Sequence, residues 1–349
     1  MPALTPGSLV LVTGASGFMG THTVGTLLDA GFAVRAAVRS ADKGEHLKAE
    51  FPAHAERVSY AIVPDMSEPT AYDAAVVGVD AVVHLASPTD LMTPGPPSVI
   101  IQPAIDGVVN VLSAVQRFAP TVQRVVQMSS VGAIATVGKG SVPEPVTYTE
   151  ADWNTEALEI CEKEGAAAGP NFKYSASKIA AEKAFWDFIA ERKPHWDGVA
   201  LIPTYCVGPS NGFSATGGVA GPIAMVVPFL QPGIPDQALA NSFDNFIDVR
   251  DVALAILKSL TLPQAGGERI ILSADTLFGN DFAVVAGTLP NLPTGINKGN
   301  ADPAYRASLA ASSVVYDGHK AERVLGITYR KRDESIKDTF KAIRAKLAI

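Results

Sequence analysis

Leu9-Val-Leu-Val-Thr13-Gly14-Ala-Ser-Gly17-Phe-Met-Gly20 is the stretch on which the reading of this chain turns. Four apolar residues run into a Gly-x-x-Gly-x-x-Gly spacing, and a helical apolar pattern over 19–30 follows. Strand, glycine turn and helix in that order make a phosphate-binding turn. Gly14 supplies the tight bend, and Gly17 lets backbone approach a pyrophosphate at the helix N-terminus, where N–H groups and the helix dipole favour anions. Gly20 lets the helix pack close to the strand. Ser16, Phe18 and Met19 belong to the same turn and are expected to line a dinucleotide with Gly14 and Gly17. Three glycines alone say little; between a strand and a helix they carry weight.

Outward from this turn the first half of the chain alternates. Apolar, β-rich runs at 9–12, 33–38, 58–63, 81–85, 124–128 and 199–202 are separated by helical patterns at 19–30, 71–77, 103–118 and 174–191, the last stopped by Pro194. Nearly continuous apolar strands suit a parallel sheet covered by helices on both faces, and right-handed crossovers make it a doubly wound α/β sheet of Rossmann type. Residues 203–240 are rich in Gly, Pro, Ser and Ala, with weak signals. Order returns at Phe246–Ala253, a strand leading into a helix that Asp251 helps start, and at a strand over Arg269–Leu272. A helix is expected near Asp281 and another from about Asp333. Residues 8–203 with 241–274 are therefore expected to form the cofactor-binding core, and 204–240 with 275–349 a smaller substrate lobe.

The chain has 349 residues, is 47% hydrophobic and carries a net charge of -7. That balance makes nucleic acid and anionic membrane poor partners. Cys161 and Cys206 form no disulfide framework or metal spacing, so a reducing compartment, the cytoplasm, is expected. The six histidines are scattered without zinc spacing, and no metal is expected. His84, in a strand, reads as a packed histidine, and Trp153, Trp186 and Trp196 as packing residues.

The second strand ends Val38-Arg39-Ser40, with Lys43 close behind. An NAD site places a carboxylate here for the ribose 2′-hydroxyl. The planar fork of Arg39 instead suits a 2′-phosphate, with Lys43 as a second charge, so NADPH is the expected cofactor. Tyr174-Ser-Ala-Ser-Lys178 sets a phenol and an ammonium four residues apart on one helix face. The ammonium and an oxidised nicotinamide ring both favour phenolate, as general acid/base work on a carbonyl/alcohol pair requires. Met128-Ser129-Ser130 ends a strand at the carboxyl edge of the sheet, where a hydroxyl can donate to a developing oxyanion. Ser130 is the better placed, Ser129 bonding only locally. Asn110 is expected either to hold the Lys178 end or to make a simple helix polar contact.

In sequence order, Gly14-x-x-Gly17-x-x-Gly20, Val83-His-Leu-Ala-Ser87, Ser129-Ser130, Tyr174-x-x-x-Lys178, Pro203-Thr-Tyr-Cys-Val-Gly-Pro209 and Ile247-Asp-Val-Arg-Asp-Val-Ala253 resemble the extended short-chain dehydrogenases/reductases. Over roughly residues 8 to 275 the likeness is to the dihydroflavonol-reductase-like branch, which includes yeast and fungal aldehyde and ketone reductases. The resemblance implies a catalytic triad of Ser130, Tyr174 and Lys178, with Asn110 as the usual helix asparagine. It implies that Asp65 and Met66 line the adenine, that Leu85, Ala86 and Ser87 pass the ribose and pyrophosphate, that Pro203 meets the carboxamide, and that Lys178 holds the nicotinamide ribose. Gly20 departs from the other small residue common in the branch, and glycine fits there.

Enzymes of this fold also act on nucleotide-diphosphate sugars, whose diphosphate is met by Arg or Lys from the substrate lobe. Residues 199–249 contain neither. They offer Tyr205, Phe213, Met225, Phe229 and Leu230, either as a pocket for an uncharged, apolar or aromatic carbonyl compound or as lobe core. The favoured expectation is an NADPH-dependent aldehyde/ketone reductase, ahead of an epimerase/dehydratase or a non-catalytic NADP(H) sensor. The helices at 103–118 and 174–191 would suit a homodimer interface, or be covered by the chain itself.

Overall fold

The run from Leu9 is central because both its faces are apolar and both its edges find partners. The computed structural model describes residues 4–88, 94–138, 142, 144–210 and 221–347. The first half runs β1 (Leu9–Thr13), α1 (Phe18–Asp29), β2 (Ala33–Val38), α2 (Ala41–Glu50), β3 (Val58–Ile62), β4 (Ala81–His84), α3 (Ser98–Phe118), β5 (Arg124–Met128), β6 (Val146–Tyr148), α4 (Thr155–Glu164), α5 (Pro170–Arg192) and β7 (Asp197–Pro203). The second half runs β8 (Tyr205–Val207), α6 (Asp236–Leu239), β9 (Ser242–Asp248), α7 (Val249–Thr261), β10 (Arg269–Leu272), β11 (Asp275–Phe278), α8 (Gly279–Ala286), α9 (Pro303–Ala310), β12 (Val314–Tyr316), α10 (His319–Leu325) and α11 (Arg332–Leu347).

Seven of these strands form one parallel sheet in the order β3-β2-β1-β4-β5-β7-β10. Alternate residues feed two cores. Val10, Val12, Val83 and Val126 pack under α1 and α7 with Leu27, Leu28, Val252 and Ile256. Leu11, Val82 and Val125 pack under α3 and α5 with Val111, Val115 and Phe185. Helix α3 is long and apolar enough by composition to cross a membrane, but half of that apolar window is buried in the protein. At the amino edge of the sheet, Arg124 is buried and donates to both carboxylate oxygens of Asp197 and to the carbonyls of Ser259 and Leu262, tying β5, β7 and α7 together.

A second, smaller core belongs to the lobe. Strands β11, β9 and β8 form a three-stranded sheet, so 242–248 pairs here and not in the large sheet, although α7 directly after it covers the large one. Phe282 is the hub of this core, with ring centroids 5.1 Å from Phe229, 5.2 Å from Phe243 and 6.2 Å from Phe340. Strands β6 and β12 make a short parallel pair beside it.

The differences from expectation have physical causes. Residues 71–77 form turns, not a helix. Tyr72, Ala75, Val76 and Val79 are buried at helical spacing, but the segment lies between Pro69 and Gly78, whose φ is +72°. Helix α2 has no apolar stripe, since only Gly44 and Leu47 are buried, and it starts from a side-chain cap by Ser40. Helix α7 is capped by Asp248, which accepts from Arg250 N at 2.8 Å; Asp251 stands in its first turn and also accepts from Arg330 N at 2.7 Å. Helix α5 gains a turn at its start, with Pro170 in its first turn.

A Cβ on Gly20 would lie 2.2 Å from the Gly14 carbonyl oxygen and 2.6 Å from that of Ala15. Gly20→Ala therefore forces α1 off its turn. Denaturant unfolding of this variant is expected to show a loss of about 1–3 kcal/mol; an unchanged midpoint would show that the helix start yields freely.

Candidate active site

The crevice opens where β1 and β4 end side by side, the point at which the crossovers diverge. Gly14 has φ +65°, and a Cβ on it would meet Ala86 N at 3.0 Å, so backbone meets backbone here. Thr13 fastens the two strand ends. Its hydroxyl accepts from Leu85 N and Ala86 N, both at 3.1 Å, and lies 2.9 Å from His84 Nδ1. Two N–H donors occupy the oxygen's lone pairs, so its proton goes to Nδ1 and the imidazole carries its own proton on Nε2. Burial, helped by the Lys178 charge, pushes His84 down to about 3 and keeps it neutral. His84 is a packed histidine, against Tyr72 edge to face, yet also a specific acceptor.

Helix α1 starts at Gly17 without a side-chain cap and has no acidic residue in its first turn. Its first N–H groups are thus available to an anion, beside the exposed backbone of Ser16 and Gly17 and the half-buried Phe18 and Met19. Glycine close approach, open N–H groups and lack of negative charge fit a pyrophosphate. Arg39 is exposed at the end of β2 and makes no hydrogen bond or ion pair among the described residues, while Lys43 lies in the first turn of α2 with its N–H 3.5 Å from Ser40 Oγ. Asp65, after β3, accepts from Ser67 N and Oγ, and these bonds, with a smaller effect of Arg39, hold its carboxyl below the usual range. Asn110 Nδ2 donates to the carbonyls of Met66 and Glu68 at 3.1 and 3.0 Å. Its amide therefore shapes the loop after β3 and does not hold the Lys178 end.

On the other side of the crevice, Ser130 follows β5, and Tyr174 and Lys178 project from α5. Tyr174 OH lies 3.3 Å from Ser130 Oγ. Gly132 N also donates to that oxygen, at 3.1 Å, which leaves the serine proton for a third partner. Lys178 is largely buried, sits 5.4 Å from the Tyr174 ring centroid and donates to Ser87 Oγ at 2.8 Å. This bond, with that from Lys173 Nζ to the Gly95 carbonyl, ties the segment after β4 to α5. Pro203 is buried at the end of β7. Such an arrangement can polarise a carbonyl oxygen and give it a proton.

Ser129 departs from its expected local bond: its hydroxyl donates to Glu182, 53 residues away. Among the apolar candidates, Phe229 and Leu230 are lobe core, Tyr205 is half-buried and Met225 is exposed; Phe213 lies outside the described residues. Thr13, His84 and Glu182 were not singled out for the site by sequence reasoning. Glu182 continues the four-residue spacing of Tyr174 and Lys178, a signal that was there to be read.

Fold and site together define an extended short-chain dehydrogenase/reductase. The chain belongs to the NAD dependent epimerase/dehydratase family, whose model matches residues 10–273. It is 31% identical to the ketoreductase azaE of Aspergillus niger over 94% of this chain and 95% of that one. It is 33% identical to aldehyde reductase 2 of Sporidiobolus salmonicolor over 83% of this chain and 82% of that one. The yeast methylglyoxal/isovaleraldehyde reductase solved with NADPH superposes with a TM-score of 0.85 at 27% identity, covering 97% of this chain and 99% of that one.

The neutral, buried His84 gives a pH signature. An unfolded histidine takes a proton near ~6.5, whereas the native ring resists until about 3. Its contribution to stability is complete above the unfolded value and is lost as pH falls towards the folded one. His84→Asn keeps an acceptor for Thr13 but no titration. Between pH 7 and pH 4.5 it is expected to lose roughly 2–3 kcal/mol less stability than the wild type. Parallel pH curves for the two proteins would refute a neutral ring.

Proposed function

We propose that this protein reduces an aldehyde or ketone to the alcohol with NADPH, Ser130, Tyr174 and Lys178 being the catalytic residues. The observation that carries the reading is the 3.3 Å approach of the Tyr174 hydroxyl to Ser130 Oγ, with Lys178 beside the same ring. Two hydroxyls can then meet one carbonyl oxygen. The ketoreductase, aldehyde reductase and methylglyoxal reductase among its relatives support the reaction class.

When bound, NADPH supplies the hydride. Ser130 Oγ–H donates to the carbonyl oxygen as negative charge grows on it, and Tyr174 OH gives that oxygen its proton. Lys178 Nζ, anchored on Ser87 Oγ, keeps a positive charge beside the phenol as it becomes phenolate. The Gly14–Met19 turn with Leu85, Ala86 and Ser87 would hold the pyrophosphate and ribose, Asp65 and Met66 the adenine, and Pro203 the carboxamide. Arg39, with Lys43 behind it, would hold the 2′-phosphate.

A nucleotide-sugar substrate fits less well. Residues 199–249 contribute no Lys or Arg to meet a diphosphate, and the described part of that stretch carries Asp236, Asp244 and Asp248. An uncharged carbonyl compound with apolar substituents suits it better. The buried, unpaired Cys161 and Cys206 suit a reducing compartment, and we place the protein in the cytoplasm.

Tyr174→Phe is expected to lower kcat by about 10²–10⁴-fold in NADPH-dependent reduction of aromatic aldehydes and α-ketoesters. Full activity in this variant would remove Tyr174 from the mechanism. Arg39→Ala is expected to raise KM for NADPH by about tenfold, the size of one charge-assisted phosphate contact, with KM for NADH little changed. Equal use of NADH by the wild type would remove Arg39 from that role.

A further inference from the structure

Two adjacent serines follow β5, and only Ser130 has a chemical task so far. The Ser129 hydroxyl donates to Glu182 Oε2 at 2.6 Å. Glu182 is fully buried on α5, on the face that carries Tyr174 and Lys178, roughly 12 Å along the axis from Tyr174. Its other oxygen accepts from Arg269 Nε at 2.6 Å and Trp186 Nε1 at 3.3 Å. Arg269 begins β10, lies 3.8 Å from the Trp153 ring centroid and donates through Nη1 to the carbonyls of Glu150 and Asp152. Two residues on, Asn154 Nδ2 donates to the Gly132 carbonyl at 3.1 Å, and Gly132 N–H donates to Ser130 Oγ. The contacts close a circuit from Ser129 through α5, β10 and residues 150–154 back to Ser130.

We propose that Ser129, Glu182 and Arg269 are positioning residues that hold the Ser130 hydroxyl in register with the Tyr174 hydroxyl. A buried ion pair is a poor source of stability, because desolvation offsets its attraction and an apolar replacement often does as well. What it gives here is direction. The apolar faces of α5 specify burial but not sub-ångström register along the sheet. A short hydroxyl–carboxylate bond and a stacked guanidinium specify both distance and angle. Catalysis is sensitive to this, since an error of about 1 Å in placing reacting groups can cost about a hundredfold.

The inference rests on the assignment of Ser130 and Tyr174, and failure of that assignment appears separately, as full activity in Tyr174→Phe. Ser129→Ala removes one bond and leaves Glu182 paired with Arg269. Its kcat is expected to fall about tenfold or more, with KM and Kd for NADPH changed by less than about twofold. Ser129→Thr keeps the hydroxyl and is expected to restore kcat to within about threefold of the wild type. In the cofactor-free protein, amide hydrogen exchange of residues 130–136 is expected to quicken in Ser129→Ala and to return with Ser129→Thr. A Ser129→Ala kcat within about twofold of the wild type, or a loss that Ser129→Thr does not restore, overturns the proposal.

Discussion

Because β1 pairs in parallel with β2 on one side and β4 on the other, the crossovers leave in opposite directions and a crevice opens at the carboxyl ends of the strands. Most of the candidate site is hung on that edge, and α5 adds Tyr174 and Lys178 from the face of the sheet. The glycine turn leaves β1, Arg39 leaves β2, Leu85–Ser87 leave β4, Ser130 follows β5 and Pro203 ends β7. For the edge to work, the turn after β1 must come within van der Waals reach of the backbone after β4, and the Thr13 hydroxyl with its three partners holds it there.

Three buried polar clusters sit where two elements need a fixed relation. Arg124 with Asp197 does this at the amino edge of the sheet and joins β5, β7 and α7. Glu182 with Arg269 and Ser129 does it beside the candidate site. His84 does it between β1 and β4, and it can because burial keeps the ring neutral and leaves Nδ1 as an acceptor. The apolar cores on either face supply most of the stability but tolerate sliding; the polar pairs restrict it.

Much of the fold was legible because it depends on local pattern. Strands β1, β2, β5 and β10 and the long helices α3 and α5 announce themselves by apolar continuity, periodicity and a proline stop at 194. Where burial and periodicity part company, legibility fails. Helix α2 is charged on almost every face and is held by a cap and by Tyr60 packing on Gly44. Residues 71–77 have helical spacing yet fold as turns between a proline and a positive-φ glycine. The aromatic residues around Phe229 read equally as pocket or core, and only the packing of Phe282 against them decides.

The sequence by itself determined the class of the protein: a glycine turn after a strand, a basic residue where a ribose carboxylate would stand, and a tyrosine and lysine one helical turn apart are short-range facts. Only the tertiary structure decided which groups meet. Ser130 and Tyr174 are 44 residues apart, and Lys178 and Ser87 are 91 apart. Ser129 bonds Glu182, not its neighbours, and of the two roles open to Asn110 the structure has it bonding the loop after β3. The physical reason is that hydrogen bonds over such separations depend on sheet order and helix register. Those are set by the packing of whole faces and leave no local mark in the chain.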